Sequence, residues 1–156
     1  MNSVTGVRQS ISKTTAERMF PVLAPELIER IARHGRQRET QLGEILAESG
    51  ETCASFFVVI SGAVEIAQSS HQGGVVITEH QAGQFTGEVN LISGRPSLLQ
   101  ARVTQPGEVV ELKRSELLEL VQTDAEVSEV LMRAFILRRV ELIAHGLGDV
   151  VVLGSN

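Results

Sequence analysis

The sequence has no tryptophan, no tyrosine and one cysteine, and its aromatic content is only 3%. A core must therefore come from Val, Leu, Ile and the five Phe residues. Cys53 has no second cysteine to pair with, so no internal disulfide staples the chain, which agrees with a reducing compartment. Positive charge is also short. Fourteen Lys and Arg stand against 19 Asp and Glu, a formal net charge of -5. That balance argues against free nucleic acid as the main partner, because phosphate backbones are held by clustered Lys and Arg. Long apolar runs are missing, so no segment reads as a membrane span, and residues 1–15 lack the apolar run of a signal peptide. These absences lead to the expectation of a soluble, cytoplasmic protein with no membrane association. What is present suffices for one domain. The 156 residues are 42% hydrophobic, enough for a real core plus some extra at the ends.

Residues 1–15 are rich in Ser and Thr without periodicity and read as a flexible N-terminal segment. The stretch from Pro25 to Ala32 predicts an amphipathic helix. Proline is tolerated at a first helical position, Leu27, Ile28 and Ile31 share a face, and His34-Gly35 supplies a terminal cation and a stop. Short strands follow at 37–40, 45–47, 56–60, 63–67, 75–78, 79–80, 98–104 and 108–112, separated by turn signals such as Ser61-Gly62. Their close, even spacing predicts a mainly β protein with flanking helices, an antiparallel β-roll or jelly-roll barrel. Helices return at the end. Ser115 is placed to cap 116–121, and Thr123 to Glu126 forms a capping box that opens a long helix to about His145. Val127, Val130, Leu131, Ala134, Ile136 and Leu137 give that helix a broad apolar face, with Arg133, Arg138 and Arg139 on its outer face or last turns. The domain is bounded at 16–145. Residues 146–156 run from Val150-Val151-Val152-Leu153 into Gly154-Ser155, as the start of a linker or next domain would. The chain is thus expected to be the N-terminal piece of a longer protein.

Residues 85–103 carry the densest chemical signal. A Gly87-Glu88 pair precedes an apolar helical turn, a Gly94-Arg95-Pro96 bend and a strand. Oriented N–H groups at such a turn suit an anion, and a nearby carboxylate suits a sugar hydroxyl. Phe85 is placed to pack beneath this turn. Ser97 has a hydroxyl that would serve either a ligand or the turn itself. The four His residues, at 34, 71, 80 and 145, lack the spacing of a metal site. No nucleophile motif frames any serine.

The order of elements, with Gly43-Glu44-Ile45-Leu46, Glu48-Ser49-Gly50-Glu51 and Phe56 to Val64 around a Ser-Gly turn, resembles the cyclic-nucleotide-binding domains of the bacterial catabolite activator and of kinase regulatory subunits. The resemblance covers roughly residues 19–143 and implies a cassette for a cyclic nucleotide, cAMP or cGMP, or another anionic ligand. It assigns Gly87 and Glu88 to the ribose hydroxyl and the N–H groups of Val89 and Asn90 to the phosphate. Aligned without gaps, the family's phosphate-binding arginine falls at Ser97 and the small residue after it at Leu98. The expected arginine is absent, and Arg95, two residues earlier, is the cation placed to reach in from the bend. Arg102 alternates with Ala101 and Val103 and is expected to point outward.

The Gly-Arg-Pro-Ser-Leu cassette is also similar to those of domains fused ahead of thioredoxin-reductase-type oxidoreductases. That resemblance implies a regulatory domain controlling an attached C-terminal redox effector. FAD and NADPH would belong to the effector alone, and this chain by itself would be no enzyme and need no cofactor. Two other readings compete. One is a degenerate module that kept the fold for structure or dimerisation. The other is the sensor of a transcription regulator, although an apolar strand rather than a helix-turn-helix follows the long helix. A homodimer through the helix at 124–145 is expected in the intact protein.

Overall fold

The computed structural model describes residues 20–52, 55–68 and 75–144, with 75, 88–90 and 141–144 described by their backbone alone. The first element among the described residues is the expected helix, α1 (Pro25–Ala32), with Leu27 and Ile31 buried on one side. Eight strands follow: β1 (Arg36–Glu39), β2 (Ile45–Ala47), β3 (Ser55–Val59), β4 (Ala63–Gln68), β5 (Val75–His80), β6 (Phe85–Thr86), β7 (Gln100–Gln105) and β8 (Glu108–Lys113). A short helix, α2 (Glu88–Ser93), lies between β6 and β7. Two helices, α3 (Arg114–Thr123) and α4 (Ala125–Ala144), complete the described residues.

The strands form two four-stranded antiparallel sheets, ordered β1-β8-β3-β6 and β2-β7-β4-β5. Side-chain pattern explains their places. All five residues of β3 are buried, as a strand covered on both faces requires. In β7, Ala101 and Val103 turn inward while Arg102 faces out to Glu65 at 3.3 Å, so its expected direction holds. The Ser61-Gly62 turn, a hairpin signal in the sequence, joins β3 to β4 but passes from one sheet to the other, so the two strands do not pair. The jelly-roll expectation stands.

The apolar interior has two parts. The larger gathers Phe56, Val58, Phe85, Val110 and Leu112 of the first sheet under Leu27, Ile31, Leu117, Leu120, Val127, Leu131 and Ala134 of the helices. The smaller joins Val59 to Val64, Ile66, Ala101 and Val103. Burial of this apolar surface is the main driving force for the fold.

Several local expectations are corrected. Ser115 lies inside α3 and does not cap it, because β8 runs straight into the helix and Lys113 is the cap position. There the Lys113 N–H donates to the Glu116 carboxylate at 2.7 Å. At the next helix start the cap is Asp124, whose Oδ1 accepts from the Val127 N–H at 3.1 Å. Thr123 instead donates its hydroxyl to the Glu119 carbonyl of α3. The segments 75–78 and 79–80 are one strand, β5. The two-residue β6 has too little pattern to be read from sequence. Ile136 is 55% exposed and leaves the apolar face, whereas Arg138, expected outside, is buried. Among the described residues no helix is long and apolar enough to cross a membrane. The expectations for residues 1–15, Cys53, His71, His145 and 146–156 lie outside the described residues.

Candidate functional site

The cassette begins on a floor built by β3 and β6. Val58 pairs with Phe85 and Phe57 with Thr86. Phe85 is fully buried, its ring 5.7 Å from that of Phe56, so it packs beneath the turn as expected. Gly87 then lies flat on β3. Its φ is +102°, and a Cβ there would stand 2.7 Å from the Ser55 carbonyl and 3.1 Å from the Phe56 Cα. Only glycine fits, because a side chain meets both a forbidden backbone region and the backbone of β3.

Helix α2 starts at once. The Leu91 N–H donates to the Gly87 carbonyl at 3.1 Å, and Leu91 is buried as the anchor of the turn. Thus Glu88, Val89 and Asn90 occupy the first turn of α2, directly after the close approach at Gly87. Gly94, at φ +75°, ends the helix. Arg95 is exposed at the bend, its backbone N–H donating to Ser93 Oγ at 3.3 Å.

The far wall is held by backbone. The Ser97 N–H donates to the Glu51 carbonyl at 2.9 Å, and the Gly50 N–H donates to the Ser97 carbonyl at 2.7 Å. Ser49 Oγ donates to the Leu98 carbonyl, and Gln100 Nε2 donates to the Glu48 carboxylate at 3.0 Å. The sequence left two uses open for the buried Ser97 hydroxyl. In the structure it donates to the Leu99 carbonyl at 2.5 Å and faces the Leu99 N–H at 3.3 Å, so it is engaged in its own turn. Leu98 is half-buried beside it. The seven expected residues therefore divide. Gly87, Glu88, Val89 and Asn90 form one continuous edge; Ser97 and Leu98 form the wall that the 48–51 turn secures; Arg95 stands exposed between them.

Two charged clusters frame this floor. Across β1, β8 and β3, Ser55 Oγ donates to Glu111 at 2.7 Å, Arg38 Nε donates to the same carboxylate at 2.8 Å, and Arg38 also pairs with Glu44, just before β2, at 2.9 Å. Burial works to raise the Glu111 carboxyl, but the Ser55 hydroxyl and Arg38 outweigh it and hold it below its ordinary value. The second cluster lies under β6 and went unseen in the sequence reading. The Arg138 guanidinium stands over the Phe85 ring at 4.6 Å and the Phe20 ring at 5.2 Å. His80, 2% exposed, has its ring 5.7 Å from Phe20. Burial, and after it the charge of Arg138, lowers the His80 pKa to about 3, so the imidazole is neutral. A signal for the buried arginine did exist: Val127, Leu131, Ala134 and Arg138 are spaced four, three and four residues apart, one stripe of the helix.

Comparison with known proteins accords with this arrangement. Residues 37–124 match the family model for the cyclic nucleotide-binding domain, over half of the chain, and the chain belongs to that family. Potassium channel AKT6 of Arabidopsis thaliana is 30% identical over 82 residues, 53% of this chain. The chain spans only 9% of that channel's length. The catabolite activator protein of Thermus thermophilus superposes with a TM-score of 0.67 at 23% identity, over 86% of this chain and 63% of that one. A protein solved for a cyclic-GMP-dependent signalling pathway that regulates bacterial phytopathogenesis has a TM-score of 0.66 at 25% identity, covering 77% of this chain and 96% of its own.

Proposed function

We propose that this cyclic nucleotide-binding domain is a regulatory ligand sensor that holds a cyclic nucleotide on the edge from Gly87 to Asn90. The observation that carries the reading is Gly87 pressed flat on β3, which brings the backbone at the start of α2 to the cassette floor with no side chain between. In this reading the Glu88 carboxylate receives the ribose hydroxyl, the N–H groups of Val89 and Asn90 face the phosphate, and Arg95 supplies the countercharge from the bend. Ser97 and Leu98 shape the opposite wall. Free backbone N–H groups and one exposed arginine bind an anion less tightly than a buried guanidinium pair does. Affinity for cAMP or cGMP in the micromolar range follows. Calorimetry of this chain with each nucleotide tests it, and Glu88→Ala should weaken the tighter ligand at least tenfold. Unchanged affinity in that variant would move the site elsewhere.

The domain is read as a regulator and not a catalyst, with its output passing to a C-terminal effector. An FAD- and NADPH-dependent disulfide oxidoreductase is the effector favoured by the Gly-Arg-Pro-Ser-Leu cassette and by the apolar run after the last helix. The likeness to a catabolite activator supports a transcription regulator as the competing attachment. Ile136 and Val140, one turn apart on α4 and each 55% exposed, support a homodimer through that helix.

One observation favours a second reading. The Ser97 hydroxyl, at the place of the family's phosphate-binding arginine, is already engaged with Leu99. A domain that kept the fold and lost the nucleotide would look the same at this position. Absence of heat with cAMP, cGMP and related nucleotides would establish that version.

A further inference from the structure

Arg138 sits where the stripe of α4 calls for an aliphatic residue. It is 8% exposed, in line with Val127, Leu131 and Ala134, all fully buried. A guanidinium taken out of water costs free energy that a leucine would not. Two aromatic faces, Phe85 at 4.6 Å and Phe20 at 5.2 Å, offset part of that cost. Burial of a neighbouring cation is easier beside a neutral imidazole, and His80 stays neutral there.

Arg138 and these three neighbours come from four separate places in the chain. Phe20 lies in the segment ahead of α1, which is fixed to the β5–β6 turn by Gln84 Nε2 donating to the Phe20 carbonyl and by the Leu23 N–H donating to the Gly83 carbonyl. His80 ends β5. Phe85 is β6, two residues before the close approach at Gly87. Arg138 belongs to α4, which also packs against α2. A planar cation over aromatic rings is directional, so it fixes rotation and register where a leucine would only fill space.

We propose that Arg138 is a positioning residue that couples the nucleotide cassette to α4 through the face of Phe85. A displacement of β6 and α2 moves the ring on which Arg138 rests, and α4 must follow or lose the contact. As the route by which occupancy reaches the effector, this role rests on the nucleotide reading above; the coupling itself does not.

The test is hydrogen exchange of the full chain without nucleotide, followed by calorimetry. Arg138→Gln should raise exchange at least tenfold both in the second half of α4 and across residues 85–93. Arg133→Gln, on the exposed side of the same helix, should change neither. Should Arg138→Gln fail to fold, Arg138→Lys carries the same test, since it keeps charge but loses the planar guanidinium. Arg138→Met separates positioning from filling. Protection in both segments equal to the parent chain in Arg138→Met, or loosening confined to α4, would overturn the proposal. Coupled loosening with no nucleotide heat in the parent chain would keep the coupling and discard the nucleotide.

Discussion

His80 makes the stability of this domain depend on pH in a window where few other groups act. Its pKa falls from 6.5 to about 3 on folding, first through burial and then through the charge of Arg138. A base whose folded pKa is depressed stabilises the native state fully above its unfolded value. Below that value the unfolded chain gains a proton that the native chain refuses, so stability falls as pH drops from 6.5 toward 3. Between roughly pH 7.5 and about pH 5 this linkage amounts to about 2 kcal/mol, a large share of a typical domain's about 5–15 kcal/mol. Glu111 and Asp124, both held below their ordinary values, begin to contribute only beneath that window. The assay is urea unfolding at several pH values for the parent chain and for His80→Leu. Leucine fills a similar space and removes an Nδ1 that has no hydrogen-bond partner among the described residues. At the upper pH the two chains should therefore differ by no more than about 1 kcal/mol. At the lower pH the parent should lose about 2 kcal/mol more than the variant. Because the other histidines are common to both chains, equal pH slopes would refute a buried, neutral His80.

Three further outcomes follow from named contacts. Gly87→Ala should cost about 1–2 kcal/mol from its backbone conformation alone, and more from the clash with Ser55 and Phe56. Denaturant unfolding measures that cost, and calorimetry should show nucleotide binding lost with it. Phe56→Ala, at a fully buried position of the large core, should cost about 3–5 kcal/mol in the same assay. Arg30 donates from Nε and Nη2 to Asp124 at 2.9 and 2.7 Å, joining α1 to the residue that caps α4. Arg30 and then the Val127 N–H hold the Asp124 carboxyl down at about 2, so its contribution is complete above pH 3.8 and fades as pH falls toward 2. Arg30→Gln should move that titration upward by NMR and speed exchange of the Val127 amide, leaving the β-sheets protected.

Much of the fold was legible because its signals are local. Pro25 with the spacing of Leu27 and Ile31 defines α1, alternation along 101–103 assigns the faces of β7, and Ser61-Gly62 marks a turn; that turn carries the chain from one sheet to the other, so the hairpin its residues suggest does not form. Element ends moved by one or two residues, as at Ser115, where the strand passes into a helix with no loop to mark the boundary. The cassette was recognisable from Gly87-Glu88 and the Gly94-Arg95-Pro96 bend, since glycine admits backbone conformations closed to other residues and proline fixes its own. The engagement of the Ser97 hydroxyl with Leu99 was not, because two uses of one hydroxyl look identical in a string of letters.

By itself, then, the sequence determined what depends on near neighbours: the helices, the run of short strands, their turns and the order that marks the family. Tertiary structure decided what depends on residues far apart in the chain. It placed Ser55 under Gly87, Asp124 between Val127 and a distant arginine, and Arg138 over the rings of two phenylalanines. A charged side chain near the end of a helix is ordinarily solvated, and its cost in the interior is met only by groups that folding brings to it. Phe20 and Phe85 are among those groups, and no local pattern around Arg138 names either one.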